Sequence, residues 1–258
     1  MIKGILFDLD GTVYHGAAEV PGAADFVRQL PAWGIRPVFI TNRANRTPEA
    51  VAEHLRSYGI ACTPDDVLTS AQTTAQVLAK GHVYIIGEEG IRRALADAGF
   101  VEDDRHPDYV VVSYDRSFNY HALMTACRLV KAGARFIATN PDRYLTLEDG
   151  IMPGTGAIVA AVTACTGQDP VVIGKPQPLI FQTALKRFHL RPEETVAMGD
   201  NLLTDIPAGV NAGLRTIFVT TGVSTRAELA AGPCVPTWVV DSYAEVAAII
   251  RAENHIGQ

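Results

Sequence analysis

The chain has 258 residues, a formal net charge of −6, 48% hydrophobic and 19% charged residues, which allows one large domain or two modest ones with an ample core. This balance is ordinary for a globular protein and excludes disorder; with no run of Lys and Arg to track a phosphodiester backbone, it also argues against nucleic acid as a partner. The opening Met1-Ile-Lys-Gly-Ile-Leu-Phe7 meets Asp8 before a signal-peptide core can form, and no apolar segment reaches spanning length, so no membrane is expected and the cytoplasm is the expected location.

Gly4-Ile-Leu-Phe-Asp-Leu-Asp-Gly-Thr-Val13 begins with a short apolar strand that ends in two carboxylates. Residues two apart in an extended segment face the same way, so Asp8 and Asp10 are expected to project toward one spot while Leu9 turns into the core. Two carboxylates at one point repel each other unless a cation or a proton answers them. That points to a metal site or an acid/base pair, with an acidic turn as the plain alternative, since Asp-Gly is common turn chemistry. A calcium loop counted from Asp8 puts Val13 where the sharp turn demands glycine, and that reading fails.

Residues 23–33 read as a helix closed by Gly34, and 35–40 as a strand that stops at Thr41-Asn42-Arg43. Thr47 and Pro48 start a helix that runs to about residue 58, and Ser70 is expected to cap another that fades at Lys80-Gly81. From there strand and helix alternate afresh, with strands near 83–87, 109–114 and 135–139 and helices over 89–98, 120–132 and 156–166. That pitch implies a parallel sheet of its own. Residues 81–170 are therefore expected to form a smaller α/β domain inserted into a core made of residues 1–80 and 171–258.

The core is expected to resume with a strand at 171–174 ending in Lys175-Pro176, a helix over 178–188, and a strand at 195–199 ending in Asp200. Asn201-Leu-Leu-Thr-Asp205 leads into a helix, followed by strands at 215–220 and 238–240 and a helix over 243–251. Cys62, Cys127, Cys165 and Cys234, like the histidines, are scattered without ligand spacing. Reduced, mostly buried thiols are expected, and neither a zinc site nor a Ser/His/Asp triad has an anchor.

Four apolar runs thus end in Asp8, Thr41, Lys175 and Asp200. In an open parallel sheet the carboxyl ends of the strands lie along one edge, where ligands bind, so these four groups are expected to converge there. Together they suit phosphoryl transfer. Mg²⁺ between Asp8 and Asp200 would let a carboxylate approach an anionic phosphate, Lys175 would add fixed positive charge, and Thr41 with nearby amides would hold phosphate oxygens. Singly, each has a plainer meaning: a turn at Thr41-Asn42, a solvated lysine before proline, and helix caps at Asp200 and Asp205.

Asp8-Leu-Asp10-Gly-Thr, Thr41-Asn42, Gly174-Lys175-Pro176 and Gly199-Asp200-Asn-Leu-Leu-Thr-Asp205, in this order, resemble the motifs of the haloacid dehalogenase superfamily over nearly the whole chain. The insertion between the Thr and Lys motifs resembles the branch of NagD-type and p-nitrophenyl phosphatases, as do Asp115-Arg-Ser-Phe-Asn-Tyr120 and Ala138-Thr-Asn-Pro-Asp142. The resemblance implies a Rossmann-like parallel-sheet core with an inserted α/β cap, and a Mg²⁺-dependent phosphatase of small phosphorylated metabolites, sugar phosphates foremost. It makes Asp8 the nucleophile and Asp10 the group that protonates the leaving oxygen and then activates water. It assigns Asp8, the Asp10 carbonyl and Asp200 to Mg²⁺ with Asp205 in support, Thr41 and Asn42 to phosphate, and Lys175 to orienting Asp8. Dehalogenases lack the second acid, so Asp10 favours ester hydrolysis.

Many NagD-like sequences read Thr-Asn-Asn-Ser where this one has Thr41-Asn42-Arg43-Ala44. An arginine there resembles the AraL-type sugar phosphatases, and Arg43 is expected to contact phosphate or substrate, against the plainer role of pairing with an acidic cap residue. Substrate choice is expected in the cap, at the turn of Asn140, Asp142 and Arg143 and at Gly154-Thr-Gly156. A homodimer through the cap is expected by analogy. The rival readings are a phosphatase of nucleoside monophosphates or other phosphoesters, a phospho-acceptor switch resembling a receiver domain, and a non-catalytic binder of phosphorylated metabolites. The inserted domain argues against the switch, and the retention of both Asp8 and Asp10 against the binder.

Overall fold

Gly4–Phe7 is apolar on both faces, and it lies at the centre of a six-stranded sheet. The order across the sheet is Val67–Thr69, Arg36–Thr41, Gly4–Phe7, Thr195–Gly199, Arg215–Val219 and Trp238–Val240. Phe7 is in parallel register with Phe39 on one side and Met198 on the other. Successive side chains leave a strand on opposite faces. Ile5 and Phe7 accordingly join a core with Phe26, Val51, Leu55 and Ile250, whereas Leu6 joins one with Val38, Ile180, Phe181 and Ala208. Each such buried side chain contributes roughly 1.5–3 kcal/mol, so helices on both faces hold this four-residue strand in place. From this strand the chain builds outward first to one side and then to the other, which opens a crevice at the carboxyl ends of the central strands.

The computed structural model describes residues 1–147 and 150–256. The chain divides into two units: Met1–Thr41, Glu49–Leu68 and Lys175–Gln258 form the first, and Asn42–Pro48 with Thr69–Gly174 the second. The second unit has its own parallel five-stranded sheet, ordered Val171–Val172, Arg135–Ala138, Tyr109–Val112, His82–Ile86, Val101–Glu102. Val110 and Val112 pack beneath helices Tyr120–Lys131 and Thr155–Thr166 through Ala126, Val130, Ile158 and Val162. Helices Ser70–Val77 and Glu89–Asp97 pack against each other in the same unit.

Several elements differ from the sequence expectation. The strand before Lys175 exists, but it pairs with Arg135–Ala138 in the second sheet, and Ile173 and Gly174 continue that ladder by donating to Ala138 O and Thr139 O. A strand reached through a helical crossover docks beside the strand it left. Lys175 is therefore the first residue after that ladder rather than the end of a core strand. The helix over 23–33 is α-helical only for Ala23–Gln29 and continues as a 3₁₀ turn at Leu30–Trp33, since Pro31 has no N–H to donate. The cap at residue 70 is Thr69, whose hydroxyl accepts from Gln72 N while Gln72 Oε1 accepts from Thr69 N. The stretch after Asn140, read as a turn, leads into a hairpin of Tyr144–Leu147 with Gly150–Pro153. Of the cysteines, Cys62 and Cys127 are buried, while Cys165 is exposed and Cys234 half-buried.

Candidate active site

Asp8 continues the central ladder by one residue, its N–H donating to Met198 O at 2.8 Å, which delivers its carboxylate to the carboxyl edge of the sheet. Lys175, only 2% exposed, forms an ion pair with Asp8 Oδ1 and a second with Asp205 Oδ1 at 2.7 Å. Asp205 opens helix Asp205–Asn211, and its other oxygen accepts from Asn201 N at 3.0 Å. Asp200 follows strand Thr195–Gly199; its Oδ2 accepts from Val223 N at 2.6 Å and its carbonyl from Ser224 N at 3.1 Å. Thr12 Oγ1 lies within hydrogen-bonding reach of both acids, 3.4 Å from Asp8 Oδ2 and 3.3 Å from Asp200 Oδ1. The Tyr243 hydroxyl donates to the Thr12 carbonyl at 2.7 Å and so braces that turn from beneath.

Asp8, Asp200 and Asp205 are all buried, and one oxygen from each falls within 4.8 Å of the others. Three carboxylates face one ammonium here, an excess of negative charge that a low-dielectric interior penalises heavily. Burial and Asp205 push the Asp8 carboxyl well above its usual range against the pull of Lys175, and burial and Asp205 push Asp200 up to about 7. Burial pulls the Lys175 ammonium toward losing its proton, but Asp205 and Asp8 outweigh it and hold the group above its usual range. Hard oxygen donors with unspent negative charge fit a divalent cation such as Mg²⁺. Among the described residues the Asp10 carboxylate is not a member of this triad; Asp10 is half-buried in the turn that follows.

The other expected residues divide between the two units. Thr41 is buried at the end of the strand next to Gly4–Phe7. Asn42, Arg43, Asn140, Asp142 and Arg143 belong to the second unit. Three of these form one network: Asn140 Nδ2 donates to Asn42 O at 2.9 Å, Asn42 Nδ2 donates to Asp142 Oδ2 at 3.2 Å, and Asp142 N donates to Asn140 Oδ1 at 3.1 Å. Arg143 is exposed and contributes its carbonyl to Gly154 N. Gly154 and Gly156 press so closely on the Asp142 and Pro141 carbonyls that a methyl at either would collide with them, so both glycines shape this turn. Arg43 is half-buried, and its charge, like that of Arg116, opposes the burial and the Glu88 charge that push the Tyr114 phenol up.

The description "Haloacid dehalogenase-like hydrolase" matches residues 5–101, and a second, HAD-hydrolase-like, matches residues 172–246. A 5'-nucleotidase of Bacillus subtilis, YutF, is 41% identical over 94% of this chain and 96% of its own length. An acid sugar phosphatase of Staphylococcus epidermidis is 42% identical over 92% and 93%. The chain belongs to the haloacid dehalogenase-like hydrolases. The structure of NagD from E. coli K-12 superposes with a TM-score of 0.89 at 38% identity, covering 95% of this chain and 98% of that one. It gives this haloacid dehalogenase-like hydrolase the parallel-sheet α/β fold of the NagD and p-nitrophenylphosphatase structures.

Within this hydrolase, reading by sequence missed Thr12, the amides of Val223 and Ser224, and Tyr243. Thr12 stands in plain view two residues after Asp10, but only the fold puts its hydroxyl between Asp8 and Asp200. The loop at 222–224 and Tyr243 carry no local signal, because their role arises from the strand order that folds the last third of the chain back onto the first.

Proposed function

We propose that this hydrolase releases phosphate from small phosphorylated metabolites, sugar phosphates foremost, by way of a covalent intermediate on Asp8. It is a phosphoric monoester hydrolase of the haloacid dehalogenase type, and the relatives named 5'-nucleotidase and acid sugar phosphatase support the substrate class. The observation that carries the reading is the buried Asp8–Lys175–Asp205 chain with Asp200 beside it. Lys175 favours the ionised form of Asp8 and fixes one of its oxygens, so the carboxylate meets phosphorus already oriented.

An oxygen of Asp8 bonds to phosphorus as the ester P–O bond breaks, and Asp10 gives its proton to the departing alkoxide. Asp10 then takes a proton from the water that attacks phosphorus, and the Asp8–phosphate bond breaks to restore the carboxylate. Asp8, the Asp10 carbonyl and Asp200 would hold Mg²⁺, with Asp205 in support, and the ion would supply the positive charge that lets two anions meet. Thr41 and Asn42 are the proposed phosphate anchors.

The test is phosphate release from a panel of sugar phosphates, nucleoside monophosphates and p-nitrophenyl phosphate, with and without EDTA. Release is expected only with the divalent ion present, and Asp8→Asn is expected to lower kcat by at least about 10⁴-fold. Turnover that survives EDTA or the Asp8 substitution would sink the mechanism. A preference for nucleoside monophosphates would keep the chemistry and move the substrate toward the activity named for YutF.

A further inference from the structure

Thr221 stands in the loop that follows strand Arg215–Val219, and it joins two parts of the site that sequence keeps far apart. Its hydroxyl donates to the Gly11 carbonyl at 2.8 Å, and its own carbonyl accepts from His15 Nε2 at 2.5 Å. Gly11 N–H, part of the Asp10–Gly11 peptide, donates to Tyr14 O at 2.8 Å, and Gly11 adopts a left-handed φ of +84°. Both peptide planes that flank Gly11 are therefore fixed, one by Tyr14 and the other by Thr221. Two residues beyond Thr221, Val223 N holds Asp200 Oδ2. A single short loop thus grips the turn that carries Asp10 and the carboxylate of Asp200.

We infer that Thr221 is a positioning residue for proton transfer: through the Gly11–Thr12 peptide, its hydroxyl holds the turn that aims the Asp10 carboxylate at the leaving oxygen. This rests on the reading of Asp10 as the acid that protonates that oxygen. His15 Nε2 must carry the proton, because a carbonyl only accepts, and the neutral ring can meet that demand as well as the charged one. The clamp therefore does not depend on the charge of His15. Loss of one neutral hydrogen bond costs the fold little. A proton donor displaced by a fraction of an ångström loses more in rate than the fold loses in stability, on the order of tenfold.

Thr221→Val keeps the shape and removes the donor, Thr221→Ser keeps the donor, and His15→Ala loosens the clamp from the exposed side. With Mg²⁺ present, Thr221→Val is expected to lower kcat/KM about tenfold on a sugar phosphate, whose alkoxide needs a proton, and less than about threefold on p-nitrophenyl phosphate, whose phenolate does not. Thr221→Ser restores both, and His15→Ala shows the same pattern at smaller amplitude. Hydrogen exchange at the Gly11–Tyr14 amides rises in Thr221→Val, a readout independent of turnover. Equal losses on the two esters would make Thr221 merely structural, and unchanged exchange in an active enzyme would remove the clamp; either overturns the inference. A wild-type chain that hydrolyses neither ester would fail differently, by defeating the phosphatase reading and the catalytic part of this inference together.

Discussion

Both units bury a parallel sheet under helices, yet the strands of the first run into Asp8, Thr41 and Asp200, whereas those of the second run into Ser113, Thr139 and Asn140. At the second edge the neutral amide of Asn140, 4% exposed, is answered at both ends, by Asn42 O and by Asp142 N. The charged edge does not close, because one ammonium faces three buried carboxylates. The same architecture thus gives a hydrogen-bonded amide in one place and a demand for outside charge in the other, and the difference lies in the side chains gathered at each edge. Neutral groups cost little once hydrogen-bonded; buried charges cost several kcal/mol until the count of signs is balanced.

Removal of Lys175 tests the comparison hardest. Lys175→Met in EDTA is expected to lose about 3–5 kcal/mol of stability in urea denaturation, and to recover part of it when Mg²⁺ is added. A variant as stable as the wild type without metal would mean that the charged edge balances itself some other way. Acidity comes next. Asp200, with its carboxyl pushed up to about 7, binds a proton more tightly in the folded chain than in the unfolded one. The metal-free fold therefore gains from low pH and loses that gain as the pH rises through about 7. Its melting temperature in EDTA is expected to fall by roughly 3 °C between about pH 6 and about pH 8, and Asp200→Asn is expected to flatten that slope. The mildest test falls on the neutral edge: Asn140→Ala is expected to cost about 1–2 kcal/mol with no pH dependence and no change in Mg²⁺ affinity measured by calorimetry.

The charged edge was easier to read from sequence than the neutral one. Asp8, Lys175, Asp200 and Asp205 each follow an apolar run or a turn with a local signature, and the chain brings all four together. Thr12, Thr221 and Tyr243 act through hydroxyls whose partners lie up to 231 residues away, and a hydroxyl in a turn looks the same whether it bonds water or a carbonyl. The alternation of strand and helix gave away the second sheet, but the pairing of Val171–Val172 with Arg135–Ala138 is a matter of topology that two valines cannot reveal. Thr69 and Ser70 were both fit to cap a helix; the reciprocal bond with Gln72 decided between them.

Asp200 also imposes a constraint that involves no reactive atom. A methyl group at Gly222 or at Gly11 would overlap its carboxylate, and the loop at Gly222 cannot retreat because Val223 and Ser224 are already bound to the same residue. A saturation screen of this enzyme would therefore find a dead position at Gly222 that binds nothing and transfers nothing. The acid owes its reach to the emptiness kept around it.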